Sequence, residues 1–139
     1  MALDPEVLMV RKFIDLAKLL NGYLSHFPRH EKYALCNQIR QRMYDVYEYI
    51  VEGQKRYHKK TTLTNLDIAH EKLRMLLYVA HELGYFRFKD GRHDDQDAQD
   101  REAHRWQTAS LKVDELGRMI GGWMRQERQA LSEKQGPST

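Results

Sequence analysis

With 139 residues, 16.6 kDa, 41% hydrophobic and 31% charged residues, and only three prolines, the chain is sized for one globular domain spanning residues 1–139. That profile excludes a second full domain and a disordered low-complexity chain, and the single Cys36 excludes an internal disulfide. A formal charge of +3 and a pI near 9.0 permit an acidic partner such as nucleic acid without requiring one. The first turns lack the basic start, apolar run and cleavage site of a signal peptide, and no long apolar run follows. No membrane contact and a reducing, cytoplasmic setting are therefore expected.

Four stretches place apolar residues at alternating steps of three and four, the spacing of one helix face. In the first, Val10, Phe13, Ala17, Leu20 and Leu24 form the stripe, and Asp4-Pro5-Glu6 is a suitable helix start. The second begins after Pro28, with Cys36, Ile39, Met43, Val46 and Ile50 in line and Gly53 marking its end. Cys36 on that stripe reads as a small buried hydrophobe. In the third, Leu66, Ala69, Leu73, Leu76, Ala80 and Leu83 repeat the step; Thr64 and Asp67 have capping-box spacing, and Gly84 closes the segment. The fourth runs through Trp106, Ala109, Val113, Leu116, Ile120 and Trp123, continuing past Leu131 to a frayed tail from about 134 to 139. These seams predict an all-α, up-down-up-down antiparallel four-helix bundle. The one long connection, 85–104, is expected to pack Tyr85, Phe86 and Phe88 on the bundle and to carry a mobile acid-rich loop over about 90–102.

Gly117-Arg118-Met119-Ile120-Gly121-Gly122-Trp123 stands out inside the fourth helix. Three glycines in a helix interior cost about 3 kcal/mol relative to Ala, so close approach by another element must offset them. Trp123 and Ile120 point to the core, while Gly117 and Gly121 clear a flank for a helix of the same bundle or of another subunit. Beyond the seams, Tyr44, Tyr47, Tyr49 and Val51, Leu77 and Tyr78, and Met124 are surplus apolar surface. A bundle needs an apolar face of about two- to three-sevenths, so the surplus predicts self-association.

Basic residues gather in Lys55, Arg56, His58, Lys59 and Lys60 around Tyr57, and Arg118 and Arg125 share the outer face of the fourth helix. Such cations can neutralise phosphates and Tyr57 can stack on a base, although a solvated connection has the same composition. Catalytic and metal patterns mostly fail. Position 85 is Tyr and position 74 Arg where a zinc helix starting at His81 or His70 needs its second histidine. The Glu-x-x-His pairs of a di-iron bundle are absent, and residues 95–106 lack the glycine and closing glutamate of a calcium loop. No metal or cofactor is expected. Arg74 and His81, two turns apart on one helix face, resemble the Arg-x6-His motif of HEPN ribonucleases, an enzymatic rival.

Phe27-Pro28-Arg29-His30-Glu31-Lys32-Tyr33-Ala34-Leu35 and Asp114-Glu115-Leu116-Gly117-Arg118-Met119-Ile120-Gly121-Gly122-Trp123 resemble segments of the accessory variability determinant (Avd) proteins of diversity-generating retroelements. The resemblance spans roughly Arg11 to Arg125, and the wider family includes bundle proteins encoded in ribosomal-RNA intervening sequences. It implies a non-catalytic accessory protein, assembled as a ring-like homopentamer, that binds a reverse transcriptase, RNA and possibly DNA. Such a protein supports mutagenic copying of template RNA into cDNA. The 90–102 stretch departs from the family pattern as an insertion. A ribosomal-RNA-associated bundle without a retroelement role is the alternative; a neighbouring reverse-transcriptase gene with template and variable repeats separates the two.

Overall fold

The computed structural model describes residues 4–135. Four helices run in chain order: α1 (Pro5–Leu24), α2 (Leu35–Lys55), α3 (Lys60–Glu82) and α4 (Ala98–Gln135). Short 3-10 turns at Arg29–Glu31 and Tyr85–Arg87 lie in the two longer connections. Contacts between helices fix their directions. The end of α2 meets the start of α1 where Gln54 donates to the Glu6 carbonyl, and the start of α2 meets the end of α1 where the Cys36 thiol faces the Leu24 carbonyl. Lys12 pairs with Glu115 at 2.9 Å, and His81 in the last turn of α3 meets Glu102 in the first turns of α4. Successive helices are thus antiparallel, and the architecture is the all-α four-helix bundle expected from the seams.

The seam of α2 is as expected, with Cys36, Ile39, Met43, Val46 and Ile50 buried, as are Ala109, Val113, Leu116 and Ile120 of α4. Two helices are turned relative to expectation. In α1, Met9 and Leu16 join Phe13, Leu20 and Leu24 in the core, while Val10 and Ala17 are only half-buried. In α3, Leu77 is 2% exposed and belongs to the core, not to the surplus surface, whereas Leu76 is half-buried and Leu83 is 54% exposed. A 3.6-residue helix drifts against a strict heptad, so a seam counted in sevens slides off the buried stripe within a few turns.

Boundaries moved for local reasons. Asp4 caps α1 by accepting the Glu6 N–H at 2.9 Å, as expected of the Asp-Pro-Glu start. The start of α2 is delayed to Leu35 because Pro28 leads into a 3-10 turn first. Thr64 caps nothing: α3 begins at Lys60, and the Thr64 hydroxyl donates back to the Lys60 carbonyl inside the helix. Gly84 closes α3 as predicted, with φ of +76° that suits glycine. Gly53 does not end α2. It is buried within the helix, and the edge of the Trp123 ring lies 2.7 Å from where a Cβ would sit.

The long connection differs most. Helix α4 starts at Ala98, so residues 98–102 are helical rather than loop. Buried Arg101 donates to the carbonyls of Arg87 and Gln96, and buried Arg105 to those of Phe86 and Phe88. Glu102, also buried, accepts the Phe86 N–H at 3.2 Å. These charge-assisted bonds satisfy backbone groups that the connection otherwise buries unpaired. Phe86 is fully buried, with Tyr85 and Phe88 packed against the core as anticipated. Lys134 and Gln135 lie in the last turn of α4, and residues 136–139 of the expected tail lie outside the described residues.

Two glycines in helix interiors make opposite predictions. A methyl added at Gly22 would meet nothing within 4 Å, so Gly22→Ala is expected to stabilise the fold by about 0.5–1 kcal/mol. Gly53→Val meets the Trp123 ring and is expected to cost about 1–3 kcal/mol through overpacking, less when Trp123 is also truncated. Urea unfolding monitored by circular dichroism measures both. Salt-bridged Lys12 holds the Glu115 carboxyl below its usual range. Its contribution is present above that range and is lost as pH falls through the folded-state value, so Glu115→Gln and the parent should converge in stability on acidification.

Candidate nucleic-acid and assembly surfaces

The basic run 55–60 forms the turn between α2 and α3, where Lys55 ends one helix and Lys60 begins the next. Its residues do unequal work. Lys55 and Lys60 are exposed, and Arg56 makes a surface ion pair with Glu52 at 3.6 Å. Lys59 is half-buried: its ammonium donates to the Gly53 carbonyl at 2.6 Å and lies 5.9 Å from the centre of the Trp123 ring. It closes the C-terminal end of α2, whose carbonyls carry the negative pole of the helix. Tyr57 stands 75% exposed at the tip, with Lys134 of α4 placed 4.8 Å over its ring and donating to its hydroxyl. Folding therefore brings the basic turn against the last turns of α4, adding Lys134 to the cluster.

Arg118 and Arg125 lie elsewhere, along a groove of about 540 Å³ between α3 and α4. Its walls also carry Arg74 and the carboxylates Asp67, Glu71 and Asp114, so it is mixed in sign rather than uniformly basic. Its floor explains part of the glycine segment. His70, buried on α3, reaches across with Nε2 2.8 Å from the Val113 carbonyl oxygen, and its ring fills the space beside Gly117. Because a carbonyl can only accept, Nε2 carries the hydrogen. A Cβ at position 117 would stand 2.7 Å from the ring, so this glycine serves packing inside the subunit. Gly121 meets only the Arg125 guanidinium, 3.5 Å from a Cβ built there.

The remaining residues expected to pack or assemble divide between two environments. Leu77 is in the core and Trp123 half-buried against Gly53, whereas Tyr44, Tyr47 and Tyr78 are exposed over much of their surface. Met124 is half-buried and lines a shallow groove with Leu63 and Leu131. Tyr47 stacks obliquely on Phe13 of α1, ring centres 5.2 Å apart, while Tyr78 meets the edge of Trp106.

A model of the bAvd-like family matches residues 7–127. The chain belongs to the bAvd-like family. No curated protein and no solved structure matches it. The family places this bAvd-like chain among the Avd accessory proteins of retroelements.

In this bAvd-like bundle the two residues of the enzymatic rival are both engaged. Arg74 makes a two-pronged bond to Glu71, at 2.9 and 2.6 Å. His81 stacks parallel on Trp106 at 4.7 Å and bonds through Nδ1 to Glu102. Among the described residues no group of three or more His, Cys, Asp or Glu side chains is arranged to hold a metal ion, and no helix is long and apolar enough to cross a membrane. Sequence reasoning missed His70, Arg101, Glu102, Arg105 and Lys134. Only His70 had a readable signal: it falls on the buried stripe of α3, one residue beyond Ala69, facing a helix with unexplained glycines.

Gly117→Ala tests the His70 contact. Displacing the ring from Val113 is expected to cost about 1–3 kcal/mol, whereas in a His70→Ala background the same change should stabilise by up to about 1 kcal/mol through helix propensity. Equal effects in the two backgrounds, measured by urea unfolding, would show that the glycine serves something else.

Proposed function

We propose that this chain is a non-catalytic accessory protein of a diversity-generating retroelement, acting in the cytoplasm as a homopentameric scaffold that holds the reverse transcriptase and template RNA together. Its contribution is proximity: partners bound to one rigid body meet at high effective concentration, and no bond is made or broken by the scaffold. Family membership supports the accessory role. The observation that carries nucleic-acid binding is the α2–α3 turn, where an exposed tyrosine stands among Lys55, Arg56, Lys60 and Lys134. Cations beside an open aromatic ring suit a single-stranded backbone and its unstacked bases, and DNA single strands share that chemistry. Arg118 and Arg125 are secondary contacts, because acidic neighbours in their groove oppose phosphate.

Binding of a fluorescent single-stranded RNA at several salt concentrations tests the site. The parent should lose affinity steeply with salt, and Lys55→Ala with Arg56→Ala and Lys60→Ala should lower the log–log slope by about 2. Tyr57→Ala should cost about 1–3 kcal/mol without changing the slope. A triple variant that binds with the parent's affinity and slope would place the interface elsewhere. Retention of the reverse transcriptase on the immobilised protein, in the presence of nuclease, tests the second partner; loss of the complex under those conditions would make RNA the only link.

A further inference from the structure

The third glycine of the α4 segment has no packing partner that explains it. A Cβ built at Gly122 would meet only the Arg125 guanidinium, at 3.8 Å, although glycine in a helix interior is less favourable than alanine. What Gly122 borders is a cleft. Gly122, Met119 and Trp123 of α4 line a cavity of about 640 Å³ together with Met9 of α1 and Lys59 at the foot of the α2–α3 turn. Cavities of this size hold small organic molecules.

The lining combines two chemistries. Met9 is buried, and Met119 and Trp123 are half-buried, so the floor is apolar and partly built of polarisable side chains that adapt to different shapes. One edge of the Trp123 ring is seated against Gly53, which fixes the indole in place. Around this floor stand the carboxylates of Asp4, Glu6 and Glu127. Asp4 caps α1, and Glu6 complements the positive pole of the same helix. Glu127 on α4 does neither, and among the described residues no ion pair includes Glu6 or Glu127. Lys59, the cation among these lining residues, is committed elsewhere. Its ammonium donates to the Gly53 carbonyl and stands 5.9 Å from the centre of the indole ring, at the outer reach of a cation–π contact.

We infer that this cleft is a binding site for a small organic cation with an apolar body, of the kind represented by an aryl quaternary ammonium. The apolar part fills the space over Gly122 and against the two methionines, and the positive charge lies between the indole ring and the carboxylates of Glu6 and Glu127. Tryptophan attracts cations more strongly than the other aromatic side chains, and partial removal from water strengthens that attraction. The carboxylates repel phosphate and other anions, so the site is distinct from the RNA contact proposed at Tyr57. A neutral apolar molecule would leave both carboxylates unpaired. A side chain at position 122 would take the ligand's place, which gives this glycine a use that the packing of the bundle does not.

Isothermal titration calorimetry with benzyltrimethylammonium tests the site, with phenylacetate as an anion of similar size. The parent should bind the cation at one site per chain and the anion roughly tenfold more weakly or not at all. Gly122→Leu puts a side chain into the cavity and should abolish binding; only a flexible guanidinium lies near, so the fold should persist, which circular dichroism verifies. Glu6→Gln with Glu127→Gln changes only the rim and should weaken binding of the cation about tenfold, the scale of two solvent-screened charge pairs. A parent that does not bind benzyltrimethylammonium at millimolar concentration would overturn the proposal. So would equal affinity for the two probes, or a folded Gly122→Leu protein that binds as the parent does. Unchanged affinity in the paired glutamine variant would overturn the role of the carboxylates, and with it the class of ligand.

Discussion

Seating of an aromatic ring against a glycine backbone, the α4 ring of Trp123 on α2 and the α3 ring of His70 on α4, is the constraint on which much of this bundle depends. Two glycines permit it. Gly53 on α2 makes room for the Trp123 ring, and Gly117 on α4 makes room for the His70 ring from α3. Each contact places a ring where any other residue would put a Cβ at 2.7 Å. A missing methyl costs helix propensity of about 1 kcal/mol, and ring packing, with a hydrogen bond at His70, offsets it locally. The same Trp123 ring holds Lys59 over its face, so packing at the core reaches directly into the shape of the basic turn.

At the opposite end a different device does the equivalent work. The connection from α3 to α4 has few apolar residues after Phe88 and would expose or bury unpaired carbonyls. Arg101, Glu102 and Arg105, three charged residues within the first two turns of α4, are buried there and bind its backbone. Buried charges are expensive unless fully bonded, which makes these residues specific to one arrangement of the loop. Glu102 also joins His81 of α3, so the connection, α3 and α4 are tied by one carboxylate.

These two ends differ in what they leave open to solvent. One presents the basic turn with Tyr57; the other is occupied by its own internal bonds. Between them the sides differ in character: the α3–α4 side is a mixed-charge groove, whereas the α1–α2 side and the outer flank of α3 carry exposed apolar side chains among polar ones. Such separation suits a scaffold, because contacts with copies of itself and with a charged partner need not compete for one surface.

The class of fold is readable in the chain alone. Periodic apolar residues with caps such as Asp4 and Gly84 are local signals, read within a few turns, and they specified four helices and their antiparallel order. The motif residues in the glycine segment and after Phe27 were enough to point to the family. What each special residue faces is set only on folding. The phase of α1 and α3, burial of Leu77, the early start of α4 and the use of Gly117 and Gly53 all depend on partners distant in the chain, such as His70 for Gly117 and Trp123 for Gly53. Likewise Lys59 and Lys60 are adjacent and chemically alike, and only tertiary contact assigns one to cap a helix and leaves the other to solvent. Periodicity reports that a segment is a helix with one buried face; the exact phase of that face, and which side chain fills the space against it, are set by partners distant in the chain.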